Sequence, residues 1–99
     1  SRTVSIYDMD SRKIFGFNWR RLRLAAGLSQ EAAADLFGIS RSHESAIERG
    51  RQNCTLQTQA QIAKILNCAP MELLNEDKAR HFAADLATAN GTPYPRVRR

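Results

Sequence analysis

The stretch SQEAAADLFGISRSHESAIERG, residues 29–50, decides how this chain folds. Ser29 stands where a hydroxyl can accept a hydrogen bond from the first turn of a helix. Ala33, Ala34 and Phe37 then fall on one face of that helix. Gly38 follows, and only a residue without a Cβ takes the left-handed conformation that reverses the chain there at little cost. Ser40 caps a second helix in the same way, Ile47 is its clear apolar anchor, and Gly50 ends it. Ala34 is informative, because a small side chain lets two crossing helices approach closely.

Two short helices joined by a tight turn with a glycine form the helix-turn-helix pattern of major-groove readers. At about 100° per residue, Arg41, Ser42, Ser45, Ala46 and Arg49 share the face opposite Ile47. That face has small residues, two guanidinium groups and no carboxylate, so it suits a groove lined by phosphates. An ordinary solvated helix face would read similarly; the preceding turn is what favours the groove.

The rest of the composition is consistent with this. The chain has 99 residues, enough for one domain with a single core, and its 42% hydrophobic content is rich in Ala and Leu, which fits an all-α fold. Lys and Arg number 15 against 10 Asp and Glu, a net charge of +5, which points to a polyanionic partner. RNA-binding proteins share that excess, so charge alone does not choose the nucleic acid. No apolar run approaches the roughly 18 residues of a membrane helix and no signal peptide is visible, so a soluble, cytoplasmic protein is expected. Cys54 and Cys68 are too far apart for a Cys-x-x-Cys site, and no histidine lies at a ligand spacing from them. They read as free thiols, with no metal and no cofactor expected. His43-Glu44 and His81 with Asp85 are the His–carboxylate pairings worth weighing, and neither has a nucleophile, a phosphate-cradling glycine loop or a metal set beside it. The sequence argues against an enzyme.

Outward from the central stretch, residues 1–13 carry Arg2, Arg12 and Lys13 but no helical stripe, and read as a basic arm. Phe15, Trp19, Leu22 and Ala26 make the inner face of a first helix that ends at Gly27. Thr55 caps a fourth helix with Leu56, Ile62, Ala63 and Leu66 inward, and Pro70 opens a short fifth one holding Met71, Leu73 and Leu74. Asn75 caps a last helix over residues 76–89, with a stripe of Ala79, Phe82, Ala83 and Leu86. The division expected is an arm at 1–13, a helix-turn-helix domain at 14–75, an amphipathic helix at 76–91 and a basic tail at 92–99.

Between Gly16 and Leu74 the sequence resembles the lambda-repressor/Cro-like (Xre-type) helix-turn-helix family. The resemblance is carried by Arg20-Arg-Leu-Arg23, Gly27-Leu-Ser-Gln-Glu31, Ala34, Gly38-Ile-Ser40, Ser45-Ala-Ile-Glu-Arg-Gly50, Thr55-Leu56, Ile62-Ala63 and Leu73-Leu74. Within it, Arg41-Ser-His, Glu48-Arg-Gly-Arg-Gln-Asn53 and Thr55-Leu56 look most like the controller proteins of restriction–modification systems. The resemblance implies a compact five-helix domain, here with an additional C-terminal helix, that binds double-stranded operator DNA as a homodimer. It assigns base reading to Arg41 and Ser42, with His43, Ser45 and Ala46 beside them. It assigns phosphate contacts to Ser29, Gln30, Ser40, Arg49, Arg51, Gln52 and Asn53, and a structural ion pair to Arg23 and Glu48. A dimer surface is implied at Met71, Leu73, Leu74, Phe82 and Leu86, although the same apolar residues would serve equally to close the monomer core.

Two residues depart from the family pattern. Ala33 stands where Leu is common, and Glu44 where Ile, Val or Leu packs against the second helix. A buried, unpaired carboxylate is costly, so Glu44 is expected to reach solvent or to pair with a nearby arginine. Aimed at DNA, it would accept from cytosine N4. The function these features imply is a sequence-specific dimeric transcriptional regulator, with RNA polymerase as a further partner. The alternative is an antitoxin that binds a partner toxin through the last helix and tails and regulates its own operon.

Overall fold

The computed structural model describes residues 10–52 and 54–91. These form α1 (Ser11–Ala25), α2 (Gln30–Phe37), α3 (Arg41–Glu48), α4 (Leu56–Ile65), a 3-10 turn (Pro70–Leu74) and α5 (Glu76–Gly91). The domain is all-α, as the composition implied; among the described residues no helix is long and apolar enough to cross a membrane.

Each helix begins where a short polar side chain can take an unpaired first-turn N–H. Ser29 accepts from the N–H of Ala32 at 3.0 Å, Ser40 from His43 at 3.0 Å, Thr55 from Thr58 at 3.1 Å and Asn75 from Lys78 at 2.9 Å. The cap of α1 corrects the expected arm boundary. Asp10 accepts from the N–H of Lys13 at 3.1 Å, so residues 11–13 form the first helical turn. The remainder of the arm (1–9) and the tail (92–99) lie outside the described residues, as does Asn53.

Helix ends follow one pattern. After α2, Ile39 N–H bonds back to Ala34 O at 3.0 Å while Gly38 sits at φ 70. After α3, Arg51 N–H reaches Ala46 O at 2.9 Å and Gly50 N–H reaches Ile47 O at 3.0 Å. These paired hydrogen bonds satisfy the last carbonyls and turn the chain sharply. The short fifth helix is a single 3-10 turn, with Glu72 N–H on Ala69 O at 2.9 Å.

Phe15, Trp19, Ile47, Ile62, Ala63 and Leu73 make the core, with Leu22, Phe37, Ile39 and Leu66 packed against it. Trp19 meets Phe15 edge to face at 5.9 Å between ring centroids and Phe37 at 5.0 Å, so one indole joins α1 to α2. Leu73, expected on a dimer surface, is fully buried in this core and offers nothing to a partner. Leu56, expected inward, is instead 80% exposed. Asp10-capped α1 also carries Asn18, fully buried, whose amide donates to Leu73 O and Asn75 O at 3.0 Å each. That side chain pins the start of α5, and α5 then lies along α1 through Ala79 and a Phe17–Phe82 ring contact at 6.4 Å.

Candidate nucleic-acid interface

The α2–α3 turn sets the two helices so that the start of α3 stands clear of the fold. Arg41, Ser42 and His43 are exposed, and Ser45 and Ala46 are half-buried. One open concavity of about 510 Å³ runs along this face, lined by Gln30 from α2, by Arg41, Ser42, Ser45 and Ala46 from α3, and by Arg49 and Arg51 beyond it. It brings together most of the residues expected to touch DNA, and its lining holds three guanidinium groups and no carboxylate. Arg51 owes its place to the bonds that end α3, which fix its backbone against Ala46.

Ser29 and Ser40, also expected at phosphate, cap α2 and α3 outside this lining, and two further expected contacts line other clefts. His43, read as a base reader, lines a separate cleft of about 280 Å³ with Trp19, Phe37, Ile47 and Thr58. One residue along a helix rotates a side chain by about 100°, and His43 falls on the flank towards α4. Gln52, read as a phosphate contact, lines a third cleft with Arg12, Leu56 and Leu74.

Beneath α3 a polar network locks three helices together. Arg23 of α1 pairs with Glu48 through Nε and, at 3.2 Å, through Nη2, and its Nη1 donates to Leu28 O at 2.7 Å. Glu48 Oε1 also accepts from Gln30 Nε2 at 3.2 Å, and Gln30 Oε1 accepts from Arg41 Nη2 at 3.1 Å. The ion pair between α1 and α3 is therefore continued through one amide to the exposed Arg41. Burial works against ionisation of Glu48, but the neighbouring Glu44 carboxyl and hydrogen bonds from Arg23 and Gln30 outweigh it and hold its own carboxyl below the usual range.

Glu44 does not reach solvent. It is wholly buried, 3.7 Å from Arg23 Nε, and neither carboxyl oxygen has a hydrogen-bond partner among the described residues. The expected arginine is thus nearby, but Glu48 already occupies it. The reading that put Glu44 on cytosine is overturned by this burial. Asn18 is not among the residues the sequence singles out; a polar residue in the inner half of an amphipathic helix is the signal it offers.

A helix-turn-helix with a basic, carboxylate-free recognition face defines a DNA-binding domain. The chain belongs to the helix-turn-helix transcriptional regulators of the Xre type: a family model described as "Helix-turn-helix domain" matches residues 15–76. It is 38% identical over 66 residues to control protein C.SmaI of Serratia marcescens, a match spanning 67% of this chain and 79% of that protein. Among solved structures, the restriction-modification controller protein C.AhdI of Aeromonas hydrophila is 42% identical, with a TM-score of 0.58 over 63% of this chain and 94% of that one. The hypothetical transcription factor NHTF from Neisseria is 31% identical, with a TM-score of 0.66 over 82% of this chain and 91% of that one. The family is one of transcription regulators rather than enzymes.

Proposed function

We propose that this chain is a controller-type regulator that binds a palindromic operator as a homodimer. The carrying observation is the concavity over Gln30, Arg41, Ser42, Ser45 and Ala46, flanked by Arg49 and Arg51 and free of acidic groups. In this reading α3 enters the major groove. Arg41 pairs in bidentate fashion with guanine, and Ser42, Ser45 and Ala46 contact neighbouring base edges. The first-turn N–H groups of α2 and α3, capped by Ser29 and Ser40, face phosphate together with Gln30, Arg49 and Arg51.

The dimer surface on this reading is Leu56, Met71 and Leu74. They are 80%, 81% and 44% exposed, and shared clefts join Leu56 to Leu74 and Leu74 to Met71. Phe82 and Leu86 contribute less, since both are half-buried and Phe82 already packs on Phe17. The same packing leaves α5 little apolar surface for a toxin, which disfavours the antitoxin alternative.

Selection of sites from random duplex DNA should return a palindrome with half-sites about one helical turn apart. On that site Arg41→Ala should cost roughly 1–3 kcal/mol and relax preference at one position of each half-site. Unchanged affinity and base preference in Arg41→Ala would refute the assignment.

A further inference from the structure

The buried cluster under α3 holds two carboxyl groups and one guanidinium. Arg23 comes from α1, and Glu44 and Glu48 from α3. From α2 the neutral amide of Gln30 faces it; the α2 carboxylates Glu31 and Asp35 are exposed. Arg41, at the start of α3, is the other cation whose field reaches Glu44.

No donor of the cluster comes within hydrogen-bond distance of Glu44. Oε2 of both glutamates converges on Arg23 Nε, in hydrogen-bond contact for Glu48 and at 3.7 Å for Glu44. Nη2 serves Glu48 and Nη1 serves Leu28 O, while Gln30 Nε2 serves Glu48. A Glu44 carboxylate would be a buried anion without a donor, a costly state. A carboxylic acid needs only an acceptor, and Glu48 lies four residues on, across one helical turn, where i and i+4 side chains meet.

We propose that Glu44 folds as a neutral acid whose proton bridges to the Glu48 carboxylate, and that this proton is a working part of the platform that positions α3. The O–H stays on Glu44 and donates to Glu48, so the cluster carries one negative and one positive charge. Loss of the proton leaves two carboxylates around a single guanidinium, loosens α3 from α1 and α2, and draws Arg41 toward the buried charge. The consequence for DNA rests on the operator reading above; the proton itself does not.

Burial first, then the hydrogen bond to Glu48 and its charge, push the Glu44 pKa from 4.5 up to about 8, against the pull of Arg23 and Arg41. Between those values the folded chain holds one proton more than the unfolded chain, so stability falls as pH rises and levels off above the folded value.

Denaturant unfolding of the full chain at constant salt should show the folding equilibrium constant dropping about tenfold per pH unit between about pH 5 and 8. Glu44→Gln, whose amide can donate to Glu48 in place of the proton, should flatten that dependence and fold at every pH. Carbon-13 carboxyl NMR of glutamate-labelled wild-type protein should show one glutamate titrating well above the usual carboxylate range. A slope that survives Glu44→Gln, or no such glutamate in the wild type, would overturn the proposal. The NMR titration decides the matter even if the variant fails to fold. On the selected operator, wild-type affinity should fall at alkaline pH relative to Glu44→Gln. An absence of DNA binding at every pH would instead remove the operator reading and leave the proton in place.

Discussion

Replacing Gly16 by alanine tests how closely α1 and α3 approach. A Cβ at Gly16 would stand 2.6 Å from Glu48 O and 2.7 Å from Ile47 O. Carbon and carbonyl oxygen settle no closer than about 3.3 Å, so the helices must part by about 0.7 Å. Both obstructing atoms are backbone at the end of α3, and neither can rotate aside as a side-chain tip would. Overpacking of this kind costs typically 1–3 kcal/mol, and rigid obstacles place Gly16→Ala at about 3. Against that, alanine gains about 1 kcal/mol of helix propensity over glycine. The net is a loss of about 2 kcal/mol, or roughly 8–16 °C in Tm for a domain of this size. Urea unfolding with thermal melts at one pH measures it. The sign is decisive: a variant as stable as the wild type, or more so, would show that nothing holds α1 so close to α3.

Further expectations concern single named contacts. Asn18→Ala leaves Leu73 O and Asn75 O without their donor and should cost about 1–3 kcal/mol in the same unfolding assay, more than removal of the exposed Asn75 cap at about 1. Arg51→Ala should weaken binding to all duplex sequences alike and lower the salt-dependence slope by about 1, leaving base preference unchanged. Met71→Glu should produce monomers in sedimentation while leaving helicity intact; an unaltered association state would place the dimer surface elsewhere. Glu48→Gln should cost less than the roughly 3–5 kcal/mol usual for a broken buried pair. Glu44, at 3.7 Å, can ionise and take over Arg23, and the full loss should appear only when Glu44→Gln is added.

The turn and both of its helices were legible because their signals are local. Ser29, Gly38, Ser40 and Gly50 act through bonds to backbone a few residues away, and those bonds form as the sequence implies. The Arg23–Glu48 pair came from resemblance alone, since no spacing rule links residues 25 apart on different helices. What escaped was long-range. Leu56 and Leu73 are equally apolar, yet one faces out and the other closes the core, because α4 and the 3-10 turn meet the rest of the fold at angles that periodicity does not encode. Asn67, at φ 57, ends α4 with Cys68 N–H on Ala63 O at 2.9 Å, a glycine's task done by asparagine and so easily passed over.

Glu44 shows why a departure from a family pattern is worth more than a match. An apolar residue there would join α2 to α3 by packing; a carboxyl, with Ala33 opposite a thin contact, leaves that task to hydrogen bonds and charge. Apolar packing is indifferent to pH, whereas a joint made of Arg23, Glu44, Glu48 and Gln30 is held together by a particular proton count. Gln30 bonds both to that joint and to Arg41, so the side chain at the mouth of the concavity is tied to the ionisation of the core by two hydrogen bonds in series. Removing Gln30 would therefore leave the protonation of Glu44 largely in place while breaking the hydrogen-bonded link to Arg41 and leaving only its field, since Glu44 itself makes no bond to Gln30.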